Sequence, residues 1–356
     1  MSKTSFLPDL LITVPVILLL SLGILVIYSS DPKLAFQQAL YALVGLGVYG
    51  FLAQIDVENF SPSIKYLYGA VLVLLIIVFL LGVETRGSLR WIPLGVFQLQ
   101  PSEFAKPVLI LLLSYFWSRN LPTWKNIGKS FLLILPVLLL VFKQPDLGTT
   151  LTLAAIWLII LVGSNVSLFK ILALSGFSLI AGPLGWVFLK DYQKSRILSF
   201  LSPEKDPLGI GYNVIQATIA VGSGEFLGRG LGRGTQSRLR FLPEFRTDFM
   251  FASIAEEFGL VGSMIVLVLW GIVLARGFLV VGRSVSRMAT LTVLGTLGML
   301  FFQITVNVGM NIGLMPITGI TLPLLSYGGS SVIATLISLS FISSAARSSR
   351  RNSLLD

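Results

Sequence analysis

Neither cysteine nor histidine occurs among the 356 residues. That double absence excludes disulfides, Cys or His metal ligands, thiol nucleophiles and every catalytic arrangement built on imidazole. Acid–base chemistry must therefore use Asp, Glu, Lys or Tyr. Charge is scarce as well: Asp, Glu, Lys and Arg together make up 12% of the chain, against 54% hydrophobic residues. A soluble chain of this length carries more charge, whereas a multi-span membrane protein has this balance.

Apolar runs of spanning length fall near residues 10–28, 36–54, 66–82, 104–118, 130–142, 147–163, 168–189, 249–275, 288–308 and 323–344, so the expected fold is an all-α polytopic membrane protein of about ten transmembrane helices. A single integral membrane domain over residues 1–356 is expected, with one long extracytoplasmic tract, 190–247, between helices 7 and 8. The net charge of +10 does not point to nucleic acid, because the basic residues are scattered between apolar runs without an interleaved aromatic patch. They sort by side instead. Lys3, Lys65, Arg119, Lys125, Lys129, Lys170, Arg276, Arg283, Arg287, Arg347, Arg350 and Arg351 fall on one side, and only Lys33, Arg86, Arg90, Lys106 and Lys143 in the short loops of the other. By the positive-inside rule both termini are cytoplasmic and the long tract is external. No small-residue cleavage site follows the first run, which reads as a retained span. The Ser- and Arg-rich end, 343–353, reads as a frayed tail near anionic lipid.

The unusual polar residues gather at span ends on the external side. Pro101 and Ser102 suit a helix start, and Glu103 and Lys106, three apart, share a helix face, as either a structural ion pair or a functional one. Trp91 has the character of an interfacial anchor. Asp146 follows Pro145 and precedes an apolar run, as an N-cap does. The glycines between Gly222 and Gly234 could admit a phosphate to the backbone, but no Walker pattern accompanies them and an ordinary loop explains them equally. Residues 210–221 fit a short amphipathic helix. No acidic cluster has metal-binding spacing, so anionic head groups suit the tract better than a protein-held cation.

Asp248 stands where this tract re-enters the membrane, and an ionisable group there is a functional candidate by default. A helix beginning near Asp248 puts Glu256 roughly 12 Å deeper, beyond the roughly 5 to 9.5 Å of a glycosidase carboxylate pair. Glu257 points away. Both glutamates are expected to bond neighbouring helices. The uncharged loop from Met315 to Ser331 breaks helix with prolines and glycines, which demands burial by protein or a wet cavity. Close helix packing at Gly328, Gly329 and Ser330 explains its end.

In order, Arg90-Trp91-Ile92, Gln100-Pro101-Ser102-Glu103-Phe104-Ala105-Lys106, Pro145-Asp146-Leu147-Gly148-Thr149, Asp206-Pro207-Leu208-Gly209-Ile210-Gly211-Tyr212, Phe241-Leu242-Pro243-Glu244, Thr247-Asp248-Phe249, Ala255-Glu256-Glu257-Phe258-Gly259 and Leu322 to Ser331 resemble the SEDS family of shape, elongation, division and sporulation proteins. Residues 234–237 are more similar to its elongation branch. Arg246 departs from the family's usual histidine, Glu225 from a glycine, and Pro107 follows Lys106 where it is unusual.

The resemblance implies a peptidoglycan glycosyltransferase that polymerises lipid II at the outer face of the bacterial cytoplasmic membrane, beside a class B penicillin-binding transpeptidase. It implies Asp248 as the catalytic base. Arg90, Lys106, Arg196 and Arg246 would contact the diphosphate, with Glu103 orienting Lys106. Trp91, Gln100, Asp146 and Gln216 would line the substrate site. No cofactor is implied with certainty, although Mg or Mn could arrive with the substrate. Such chemistry needs a base for a sugar hydroxyl and cations for the departing diphosphate, and the residues supply both. A flippase or a non-catalytic scaffold would also need many spans and buried acids. Against a carrier stand the lack of an internal repeat and the one-sided placement of the acids.

Overall fold

The computed structural model describes residues 8–85, 88–94, 97–189, 191–202, 210–238, 241–284 and 286–352. Their helices are α1 (Leu10–Ser30), α2 (Pro32–Leu52), α3 (Ile64–Leu81), α4 (Pro101–Arg119), α5 (Trp124–Lys143), α6 (Leu147–Gly163), α7 (Leu168–Gly185), α8 (Asp191–Leu201), α9 (Ile210–Ser223), α10 (Thr235–Arg238), α11 (Met250–Arg283), α12 (Arg287–Asn311) and α13 (Gly329–Asn352). Each expected span coincides with a helix. Seven of them, α1, α2, α3, α5, α11, α12 and α13, are long and apolar enough to cross a membrane by length and composition. The chain is a multi-pass membrane protein.

Helix starts follow from local chemistry. The Asp9 carboxylate accepts the Leu11 N–H at 3.1 Å and so caps α1. Asp31 ends α1 and accepts the Lys33 and Leu34 N–H groups at 3.1 and 3.3 Å, while Pro32 supplies a first helical residue that needs no partner for its nitrogen. One residue thus turns the chain back. Residues 83–99 add something the spans did not announce, a small antiparallel sheet of β1 (Val83–Thr85), β2 (Ser88–Leu94) and β3 (Phe97–Leu99) in the order β1-β2-β3.

The chain divides into two compact units, one of Met1–Ser164, Leu267–Phe302 and Pro323–Asp356, the other of Asn165–Val266 and Gln303–Leu322. In the first, α2 lies along α13. A Cβ on Gly329 would stand 2.8 Å from the Tyr41 ring, the Gln38 amide donates to Ser326 O at 3.1 Å, and the Tyr49 and Ser343 hydroxyls meet at 2.6 Å. The expected frayed tail is instead ordered helix through Asn352. Ion pairs hold it: Arg350 reaches the buried Asp9 carboxylate at 2.9 Å, which Arg276 of α11 also reaches at 2.7 Å, and Arg347 and Arg351 reach Asp56 at 3.0 and 2.9 Å. A carboxylate buried beside two guanidiniums anchors chain that would otherwise be solvated.

In the second unit, α11 is interrupted at Gly259, whose φ of 65° no helix contains. Residues 224–230 fit into this break. Arg229 and Gly230 donate their N–H groups to Glu256 O and Glu257 O at 2.9 and 3.0 Å, and Leu260 and Val261 donate to Glu225 O and Phe226 O at 2.9 and 3.1 Å. Four backbone groups freed by the break are therefore paired, as an apolar setting requires. The approach is close enough that a Cβ on Gly224 would lie 2.8 Å from Ala255 C, and one on Gly228 would lie 2.5 Å from Phe258 N. These glycines admit a helix backbone rather than a phosphate.

Candidate functional site

The predicted site residues fall into two groups, one in each unit. In the first unit, Asp146 caps α6 as expected, accepting from the Thr149 N–H at 3.1 Å and the Thr149 hydroxyl at 2.9 Å. Arg90, on β2, donates to the carbonyls of Gln144 (3.2 Å) and Pro145, and its Nη1 stands 3.6 Å from Asp146 Oδ1. Its guanidinium clamps the α5–α6 turn. Gln100 precedes α4 and sends Nε2 to Asp146 Oδ2 at 3.4 Å and to Ser102 Oγ at 3.2 Å, while its backbone N–H donates to Ser330 Oγ at 3.0 Å. The start of α4, the start of α13 and the α5–α6 turn are thereby joined.

Glu103 and Lys106 meet at 2.7 Å with side chains only 6% and 4% exposed. Together they are neutral, which is what allows both to be buried. Trp91 follows Arg90 on β2 and so leaves the opposite face of the strand.

The second group is built on the turn before α11. The Glu244 carbonyl accepts from the Thr247 and Phe249 N–H groups at 3.0 and 3.2 Å, closing residues 244–249 into a compact loop. Phe245 and Phe249 are buried in a core with Val214, Ala217, Leu242, Met310 and Ile317. Asp248, between these anchors, is only partly buried. Its backbone carbonyl accepts from the side-chain amides of Asn307 and Asn311 at 3.0 and 3.1 Å. Its carboxylate Oδ2 and the Arg196 Nη1 of α8 lie 3.7 and 3.6 Å from the point a Cβ on Gly319 would occupy. Acid and guanidinium thus border one glycine.

Arg246 lies over the Phe245 ring, 4.9 Å from its centroid. Gln216 is half-buried on α9, beside the face that carries Val214 and Ala217 into the core. As expected, Glu256 bonds a neighbouring helix: its Oε1 accepts the Gln236 N–H at 2.8 Å and the Thr235 hydroxyl at 3.4 Å, at the start of the short helix α10. An acid at a helix start is the favourable pairing with the helix dipole. The motif at 206–209 lies outside the described residues, as does Arg86. Among the described residues no group of three or more acids is placed to hold a metal ion.

A family model described as cell cycle protein, FtsW/RodA/SpoVE, matches residues 3–351. The chain belongs to that family. Among FtsW/RodA/SpoVE relatives, the peptidoglycan glycosyltransferase MrdB of Escherichia coli K12 is 39% identical over 305 residues, covering 85% of this chain and 82% of MrdB. Stage V sporulation protein E of Bacillus subtilis is 34% identical, over 98% of this chain and 99% of its own. A solved peptidoglycan synthase complex, described as coordinating polymerization and crosslinking, contains a chain with a TM-score of 0.84 and 33% identity, covering 96% of this chain and 98% of that one. The Thermus thermophilus rod shape determining protein RodA matches with a TM-score of 0.72 and 30% identity, over 96% and 97%.

In this FtsW/RodA/SpoVE chain the residues that sequence reasoning missed are Asn307 and Asn311. Both are fully buried in α12. Two amides one helical turn apart in an apolar span were the available signal.

Proposed function

We propose that this chain is a peptidoglycan glycosyltransferase that polymerises lipid II into glycan strands at the outer face of the bacterial cytoplasmic membrane during elongation. The relatives MrdB of Escherichia coli and RodA of Treponema pallidum are named for peptidoglycan glycosyltransfer. The observation that carries the reading is the core-anchored turn presenting Asp248 beside Arg196 at Gly319. A hydroxyl oxygen of the acceptor sugar attacks the anomeric carbon of the donor. Asp248 takes the hydroxyl proton, the bond to the diphosphate breaks, and the electron pair leaves on the polyprenyl diphosphate. Arg196 meets the charge that grows on that leaving group, a task suited to a guanidinium.

Arg246, Arg90 and Lys106 are further proposed diphosphate contacts, with Glu103 orienting Lys106. Trp91, Gln100, Asp146 and Gln216 are proposed to contact the sugar or its carrier. A divalent ion, where one takes part, would enter bound to the diphosphate, since a single carboxylate such as Asp248 leaves most of its coordination shell to substrate oxygens. The basic residues support cytoplasmic termini, with the sheet and the Asp248 turn outside. A class B penicillin-binding transpeptidase is the proposed partner, in keeping with the polymerising and crosslinking complex that the chain resembles.

The test is polymerisation of labelled lipid II by purified protein, with and without chelator. Asp248→Asn is expected to fold normally and to make no polymer. Near-normal polymer from the monodisperse variant would reject the assignment.

A further inference from the structure

An amide buried in an apolar span is costly unless every polar atom finds a partner. Asn307 and Asn311 are fully buried, and their partners are specific. Asn307 Nδ2 donates to Asp248 O at 3.0 Å and to Ile320 O at 2.7 Å. Asn311 Nδ2 donates to the same Asp248 carbonyl at 3.1 Å and to Asn307 O at 2.7 Å, and its Oδ1 accepts the Ala252 N–H at 3.0 Å. Two side chains of α12 therefore tie together the turn that carries Asp248, the first turn of α11 and the loop beside Gly319. Gly319 has a φ of 76°, and a Cβ there would stand 3.7 Å from Asp248 Oδ2 and 3.6 Å from Arg196 Nη1. The loop that Asn307 holds is thus the one whose glycine lies against both acid and guanidinium.

We infer that Asn307, Asn311 and Gly319 are positioning residues: they fix where the Asp248 carboxylate stands relative to Arg196, and so govern turnover rather than substrate affinity. The inference rests on the reading of Asp248 as the base. Misplacing a reacting group by about 1 Å can cost about a hundredfold in rate. Asn307→Leu keeps the branching of the side chain and removes both donors, leaving the turn and the Gly319 loop without their shared tie. Gly319→Ala removes none of these donors, but alanine holds a φ of 76° only with strain, so the loop that Asn307 ties down must shift beside the two charged side chains, which its methyl would meet only in ordinary contact at 3.6 and 3.7 Å.

The experiment measures lipid II polymerisation over a range of substrate concentrations, with thermal melting, for the purified full-length wild type, N307L, G319A and D248N. Expected is a fall in kcat of about ten- to a hundredfold for N307L and G319A, with KM within about twofold of wild type. A folded N307L with wild-type kcat, or one whose KM rises while kcat holds, overturns the inference. If N307L does not yield monodisperse protein, G319A decides by the same criterion. A polymerising D248N instead removes the catalytic reading itself, and that result is separate from any outcome at Asn307 or Gly319.

Discussion

Replacing Gly228 by alanine tests whether the glycine-rich segment is built to fit the break in α11. The residue has a φ of 80°, and its Cβ would lie 2.5 Å from both Glu257 C and Phe258 N, backbone atoms that cannot swing aside. Holding alanine in the left-handed region costs about 1–2 kcal/mol. Relieving the overlap means backing away by about an ångström, which breaks the bonds from Arg229 N to Glu256 O and from Gly230 N to Glu257 O. Each buried group so orphaned costs about 1–3 kcal/mol, and the total is about 3–8 kcal/mol. With an unfolding entropy of about 2.1 cal/mol/K per residue, cooperative melting of 356 residues converts this to a fall of about 4–11 °C in Tm. Gly222→Ala is the control, because nothing lies within 4 Å of its Cβ. Melting followed by tryptophan fluorescence in one detergent compares the two with wild type. A G228A protein that melts with G222A would refute the fitted-segment reasoning.

Lys106→Met strands the buried Glu103 carboxylate and is expected to destabilise by about 3–5 kcal/mol, whereas the double variant E103M/K106M recovers most of the loss. Thermal melting of the two singles and the double closes that cycle, and an additive double would contradict it. Arg196→Ala is expected to slow polymerisation at limiting lipid II far more than it lowers Tm, and an unchanged rate would remove Arg196 from the diphosphate. Asp9→Asn withdraws the carboxylate shared by Arg276 and Arg350. Trypsin should then cut at the end of α13 several-fold faster, and an unchanged digestion rate would mean that the other arginines hold the tail alone.

Hydropathy made the spans legible because lipid tolerates few alternatives to an apolar helix, and short-range chemistry made caps such as Asp146 legible because their partners are three residues away. The sheet at 83–99 escaped because its strands run three to seven residues, one carries Pro93, and short pairing depends on a partner rather than on a pattern. The break in α11 escaped for a different reason. A glycine within an apolar run is compatible with continuous helix, and what stabilises the break is backbone from residues 224–230, far earlier in the chain. The end of α13 was misread because arginine and serine signal solvation unless a buried acid such as Asp9 lies opposite.

The same distinction separates the legible from the hidden part of the candidate site. Asp248 could be picked out because a carboxylate at a membrane edge contradicts its surroundings, and Glu103 with Lys106 because their spacing puts them on one face. Asn307 and Asn311 are neutral, and in a span such residues usually bond another helix. Their actual acceptors are the backbone carbonyls of Asp248 and Ile320, groups that every residue type carries and that no side-chain pattern marks. The position of the acid is thus encoded not only in its own motif, through Phe245, Phe249 and the Glu244 carbonyl, but also in two amides on a different helix. A substitution in α12 that leaves Thr247, Asp248 and Phe249 intact is therefore expected to lower turnover by about ten- to a hundredfold, short of the complete loss expected when the proposed base itself is removed.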